Sequence, residues 1–161
     1  MAIREIRTIG DPILYKKCKE VKTMTPRLQT LVDDIFETMY ESNGVGLAAP
    51  QVGVLRRIVV IDVDDSPLVL INPVITESSG EQTGQEGCLS VPGKAGEVTR
   101  PEKVTVRAFD REMNEFTLTG EELLARAIAH ELDHLEGELY VEKVEGGLYD
   151  VAPPEEEEEE A

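Results

Sequence analysis

The chain has 161 residues, 40 % of them hydrophobic and 30 % charged, with a net charge of −17 from 16 basic and 33 acidic side chains. That length suits one domain with its own core, no apolar run approaches the ~20 residues of a membrane helix, and so acidic a chain is a poor match for broad binding to nucleic-acid phosphates. No signal-peptide stretch opens the chain, so a cytoplasmic location is expected; Cys18 and Cys88 then stay reduced, and a metal or catalytic role outranks a disulfide for one of them.

Residues 1–150 read as a single folded domain and 151–161 as a disordered acidic tail, because Pro153-Pro154 are followed by the mutually repelling run Glu155 to Glu160. Within the domain, Thr25 to Ser42 predicts a helix: Thr25 caps it, Pro26 suits its first turn, and Leu28, Leu31, Val32, Ile35, Phe36 and Met39 recur at helical spacing. Asn43-Gly44 stops it. Val54 to Val63 and Leu68 to Ile75 are rich in Val and Ile and predict strands, with Asp64-Asp65-Ser66-Pro67 as the turn between them. Lys103 to Phe109 alternates, with Val104, Val106 and Ala108 on one face, and pairs as a hairpin with Glu115 to Leu118. Thr119-Gly120-Glu121-Glu122 has the form of a capping box ahead of a helix from about Gly120 to Glu136, and Gly137 stands where a C-terminal cap glycine would. The expected fold is α+β, a largely antiparallel sheet packed around a central, metal-binding helix.

That helix carries His130-Glu131-Leu132-Asp133-His134. Residues four apart lie about one turn from each other, so both imidazoles leave one face and can share a metal, with Glu131 close by. Two core histidines satisfied by hydrogen bonds would look similar, but these are the only two in the chain and both fall in one H-E-x-x-H. A catalytic zinc-type centre uses three protein ligands and leaves a position for water. Glu136, Glu138, Glu142 and Glu145 are candidates for the third, the first two too near in sequence to swing back easily; Cys88, in Gln85-Glu86-Gly87-Cys88-Leu89-Ser90, is the alternative. A third segment, Gly44-Val45-Gly46-Leu47-Ala48-Ala49-Pro50-Gln51-Val52-Gly53, permits close approach of a ligand to backbone, and Gln51 is its one polar side chain past Gly46; a plain structural turn explains it equally well in isolation.

Together, Gly44 to Gln51, Glu86-Gly87-Cys88-Leu89-Ser90 and His130 to His134 resemble the three signature motifs of bacterial-type peptide deformylases, in the family's order, and Gly10-Asp11-Pro12 agrees too. The resemblance spans about Ile6 to Glu145. It implies a metal-dependent amidohydrolase that removes the formyl group from N-formylmethionine at the start of nascent polypeptides and releases formate. It also implies one divalent metal on Cys88, His130 and His134: Fe(II) natively, with Zn, Ni or Co as substitutes. The metal acidifies a water, Glu131 carries the proton to the leaving amine, and the Gln51 side chain and Leu89 backbone N–H stabilise the oxyanion. Val45, Leu123 and Ala127 line the methionine slot, and the Gly44 and Gly46 backbone holds the peptide. Nascent N-formylmethionyl chains are the expected partners, with transient ribosome association and neither nucleic acid nor membrane.

Two positions depart from the family pattern. Arg126 stands where an apolar residue is usual, and Lys94-Ala95 replaces an Arg or Tyr that grips substrate backbone; both bear on substrate preference. A short acidic tail replaces the basic C-terminal helix that some members use at the ribosome. Two rivals remain on sequence grounds. An H-E-x-x-H metallopeptidase acting on ordinary peptide bonds has no use for Gln51 and Cys88 in these contexts. A catalytically dead, metal-stabilised binding protein has no need of Glu131 or Gln51.

Overall fold

The computed structural model describes residues 2–151. Of the tail expected over 151–161, residues 152–161, with the run Glu155 to Glu160, lie outside the described residues, while the Val151 N–H donates to the Gly93 carbonyl at 3.0 Å.

Ten principal elements follow one another: α1 (Pro26–Glu41), β1 (Gly46–Ala48), β2 (Ile58–Val63), β3 (Ser66–Ser79), β4 (Gln82–Cys88), β5 (Val91–Arg100), β6 (Lys103–Phe109), β7 (Glu115–Glu121), α2 (Glu122–Leu135) and β8 (Glu145–Asp150). They form two antiparallel sheets, one ordered β1-β2-β3-β6-β7 and one ordered β4-β5-β8. The α+β expectation therefore holds.

Helix α1 begins as the sequence predicts. Thr25 is its N-cap, with Oγ1 accepting from the Leu28 N–H at 3.2 Å, and Pro26 occupies the first turn. Its Leu31, Val32, Ile35 and Met39 pack against Leu47, Ile58, Val60 and Ile71. The opposite sheet face, with Ala48, Val59, Ile61, Val106 and Ala108, receives Ala125, Ile128 and Leu135 of α2. Alternate residues of Ile58-Val59-Val60-Ile61 thus face α1 and α2, which is why β2 is a continuous apolar run rather than an alternating one. Burying each such side chain contributes about 1.5–3 kcal/mol. Strand β6 has one covered face and shows the predicted alternation at Val104, Val106 and Ala108.

Several expected boundaries move. The turn between β2 and β3 is only Asp64-Asp65, both at positive φ (56° and 58°), because Val63 already pairs with Ser66; two left-handed residues match the twist of a two-residue hairpin. The strand expected from Val54 starts at Ile58. The capping box at Thr119 does not form. Thr119 and Gly120 continue β7 in register with Thr105 and Val104, Glu121 is the N-cap without a side-chain cap bond, and the helix starts at Glu122 rather than Gly120. Strand pairing satisfies the backbone that a capped helix would have used, and Gly120 lets Leu124 approach, since a Cβ there would meet its side chain at 2.7 Å. At the other end, Gly137 follows the helix at φ 78°, as a cap glycine does.

Strands β4, β5 and β8, unmarked in the sequence reading, form the smaller sheet. Residues Val91 and Val98 pack there with Tyr140. Helix α2 lies against the large sheet and also touches β5, so it is the element on which both sheets meet.

Candidate metal centre and active site

Histidines 130 and 134 occur on the buried side of α2, one turn apart, with ring centroids separated by 5.0 Å. Cys88 arrives from the far end of β4, where a register irregularity follows Glu86. One ligand atom from each of Cys88, His130 and His134 lies within 4.8 Å of the other two, and Cys88 Sγ is 3.4 Å from His134 Nε2. The four glutamates considered as third ligands are engaged elsewhere: Glu136 with Arg57, Glu138 with Lys143, Glu142 with the Leu139 N–H and Glu145 with Thr99. Cys88 is the residue brought to the histidines.

The donor set fits a metal. His130 Nδ1–H donates to Glu86 Oε1 at 2.6 Å, which fixes the ring and turns Nε2 towards the cluster. Burial disfavours its charged form, but Cys88, Glu86 and Glu131 outweigh this and raise its pKa well above the ordinary histidine value, so a metal would take the place of the Nε2 proton. Burial holds His134 well below the ordinary histidine range, hence neutral and able to ligate. One thiolate and two imidazoles leave room for a further ligand in a four-coordinate site.

Glu131 is 5 % exposed, and its Oε1 has no hydrogen-bond partner among the described residues. Its Oε2 lies 4.0 Å from His130 Nε2. Burial pushes its pKa up to about 7, against the opposing pull of His130 and Arg100. The carboxylate rests on Gly46: a Cβ on that residue would lie 2.7 Å from Oε2 and 2.9 Å from Cγ. Gly46 belongs to β1, held by pairing with Ile61, so the glycine-containing segment is a strand edge and not a plain turn.

After β1 the chain enters a 3-10 turn, Ala49–Val52, that buries Gln51. The Ala48 N–H donates to Gln51 Oε1 at 2.9 Å, so the amide nitrogen must face the other way. It donates to Ser90 Oγ at 3.0 Å and points at Cys88 Sγ at 3.5 Å. A carbonyl oxygen arriving beside Cys88 would meet an N–H donor.

The surrounding cavity has a volume of about 410 Å³. Every residue expected at the site lines it except His134, which is 1 % exposed behind the cluster. Val45 and Leu123 are exposed apolar side chains and Ala127 is buried, so an apolar wall borders the metal cluster. Lys94 lines the cavity and pairs with Asp150, whereas Ala95 is buried in β5 opposite Tyr149 of β8.

The sequence reading missed the polar group behind the cluster. Glu86 accepts from Arg100 through both oxygens (Nη2 at 2.5 Å, Nε at 3.1 Å), from Arg126 Nη1 at 2.8 Å and from His130. Burial alone would raise its pKa, but His130 and Arg100 outweigh it and hold the carboxyl at about 2. Arg100 reaches on to Asp133 at 2.7 Å. The available signal was Glu86 standing two residues before Cys88, on the same side of a strand, but only β4 pairing makes that spacing meaningful.

The chain is similar to known proteins over most of its length. The sequence model described as polypeptide deformylase matches residues 3–147. A peptide deformylase of Agathobacter rectalis is 68 % identical over 151 residues, covering 94 % of this chain and 96 % of its own. One of Lachnoclostridium phytofermentans is 59 % identical over 163 residues, covering 99 % and 100 %. Among solved structures, a peptide deformylase from Legionella pneumophila superposes with a TM-score of 0.86 at 48 % identity, covering 89 % of this chain and 87 % of its own. One from Synechococcus elongatus in complex with actinonin gives 0.86 at 42 % identity, covering 89 % and 79 %.

Proposed function

The chain belongs to the polypeptide deformylase family, a metal-dependent hydrolase family acting on the N-formyl group of nascent peptides, and from that premise we propose the role of each residue in this chain's site. Cys88, His130 and His134 hold one divalent metal, Fe(II) in the cell and Zn, Ni or Co as substitutes, because one soft thiolate and two imidazoles suit those ions. When bound there, such an ion would supply Lewis acidity to a water and to the formyl oxygen.

The other steps belong to the protein. The cavity holds the N-terminal methionine against Val45, Leu123 and Ala127 and excludes bulk water, while the Gly44 and Gly46 backbone steadies the peptide. Glu131 takes the proton of the attacking water and delivers it to the amine as the C–N bond of the formamide breaks; it is buried beside the cluster with one carboxylate oxygen free of any hydrogen-bond partner among the described residues, so it can serve both halves of that transfer. The Gln51 amide and the Leu89 backbone N–H donate to the oxygen as it gains charge. Formate and a free α-amine leave.

The observation that carries this reading is the meeting of Cys88 with His130 and His134 beside the buried Glu131. An ordinary H-E-x-x-H peptidase leaves the Cys88 and Gln51 placement unexplained, and a dead binding protein leaves Glu131 unexplained. Residues 1–150 act as one catalytic unit, because the site draws on β1, β4 and α2 at once. The chain works in the cytoplasm on emerging N-formylmethionyl chains, with transient contact to the ribosome; no described helix is long and apolar enough to cross a membrane.

Metal content after anaerobic purification is the test. The protein should carry about one equivalent of divalent metal and release formate from a formyl-Met dipeptide but not acetate from its acetyl counterpart. Cys88→Ala should lose the metal. Cys18→Ala should keep it, since Cys18 is buried in the apolar core and its thiol is pushed up to about 11 chiefly by burial. Full metal retention in Cys88→Ala would overturn the ligand assignment.

A further inference from the structure

Arg126 stands one helical turn before His130, so the two side chains leave the same face of α2. It lines the cavity beside Leu123 and Ala127, yet it is only 8 % exposed. Its guanidinium is committed away from substrate: Nη1 donates to Glu86 Oε2 at 2.8 Å and to the Val98 carbonyl at 3.1 Å. Strand β4 leaves space for that head at Gly84, where a Cβ would come within 3.4 Å of Nη2. A charge on the cavity wall is thereby neutralised, and what remains for substrate is a hydrocarbon stem.

The consequence lies at Glu86. Its Oε1 accepts from His130 Nδ1 and Arg100 Nη2, and its Oε2 from Arg100 Nε and Arg126 Nη1. With both cations present, the carboxylate plane is held from two sides. Without Arg126, Oε2 keeps only the Arg100 Nε contact at 3.1 Å, and the carboxylate can pivot about that single fork. The His130 ring, whose direction is set by Oε1, would pivot with it.

We infer that Arg126 is a positioning residue of the metal centre: it fixes the Glu86 carboxylate that orients His130, and by spending its charge there it keeps the methionine slot apolar. The inference rests on the assignment of Cys88, His130 and His134 as ligands. It reverses the expectation that an Arg at this position bears chiefly on side-chain preference.

Arg126→Met keeps an unbranched stem against the cavity and removes the head; Arg126→Lys keeps the charge but cannot reproduce the planar fork. The readouts are the Co(II) dissociation constant from chelator competition, the Co(II) absorption spectrum and KM for formyl-Met-Ala. Arg126→Met should bind Co(II) about tenfold or more weaker, with a shifted spectrum, while KM moves less than about threefold. Arg126→Lys should recover most, though not all, of the affinity. Wild-type affinity and spectrum in Arg126→Met would overturn the inference. A rise in KM as large as the loss of affinity, unrelieved by Lys, would also overturn it, showing that Arg126 merely braces α2 against β4 and β5. Should Arg126→Met fail to fold, Arg126→Lys decides alone, and an unchanged Co(II) spectrum and affinity there count against it. Cys88→Ala is the control. If it loses Co(II) while the Arg126 variants bind normally, only this inference fails; if it retains Co(II), the ligand assignment fails and takes this inference with it.

Discussion

His130 and Glu86 are 44 residues apart in the chain and 2.6 Å apart in the fold, with the imidazole Nδ1–H donating to a carboxylate that two arginines also hold. The ring proposed to ligate a metal is thus oriented by a buried anion whose own charge is balanced within the protein.

That pairing predicts what Glu86→Gln does. The amide can still accept from His130 but leaves Arg100 and Arg126 buried without their counter-charge. Breaking one side of such a buried network costs about 3–5 kcal/mol. Urea unfolding of the metal-free protein should show a loss of that order, and metal affinity should fall about 10–100-fold. A variant as stable as wild type would mean that solvent compensates the arginines and that the network is not structurally required.

Glu131→Gln bears on proton transfer. The substitution preserves size and helix propensity but cannot carry a proton. Metal content should be unchanged and kcat should fall on the order of 10²-fold or more. Asp133→Asn should lose much less, because Asp133 faces Arg100 and Lys143, one remove from the reacting atoms. Near-normal turnover by metal-loaded Glu131→Gln would refute the assigned role.

Gly46→Ala probes the same carboxylate from the opposite wall. The added Cβ would sit 2.7 Å from Glu131 Oε2 and 3.0 Å from Cδ, so Glu131 must move. Displacing a reacting group by about 1 Å can cost up to 10²-fold. The expected result is a kcat reduced at least tenfold with metal retained, and a fold as stable as before because β1 pairing through its backbone is untouched. Unaltered kcat would show that Glu131 has more freedom than its packing indicates.

Acid stability should depend on Asp34, on helix α1. Burial raises its pKa, but the Ala2 N–H at 2.7 Å and the Arg4 guanidinium at 2.9 Å outweigh this and hold it below the ordinary carboxylate value. A depressed pKa in the folded state means a stabilising contribution that is fully present above the unfolded value of about 3.9 and lost as pH falls through the folded one. With Arg4 partly exposed, about 1 kcal/mol is a reasonable discounted size. Asp34→Asn should be less stable than wild type at pH 7 by that amount, and the gap should close in acid. A gap that stays constant from neutral pH down to about pH 2 would rule out the ion pair as its source.

Much of this protein was legible in its sequence, because local rules govern those parts. Thr25-Pro26 announces α1, and the apolar spacing from Leu28 to Met39 marks its buried face. The i,i+4 spacing of His130 and His134 puts two imidazoles on one helix side, and the alternation from Val104 to Ala108 marks a one-sided strand. The glycine segment, the Cys88 segment and the histidine helix together identify the family. Tertiary structure alone decided the rest. Whether Thr119-Gly120 caps a helix or continues a strand depended on β6 being available to pair, a contact that no local pattern reports. Strands β4, β5 and β8 carry glycines and charges that hide their periodicity, and their order depends on long-range hydrogen bonds. Glu86 is one of 33 acids in the chain and Arg126 one of 16 bases. They become a single buried ion network only when β4 is laid against α2, since bringing charges out of water is tolerable only where the fold supplies the partner.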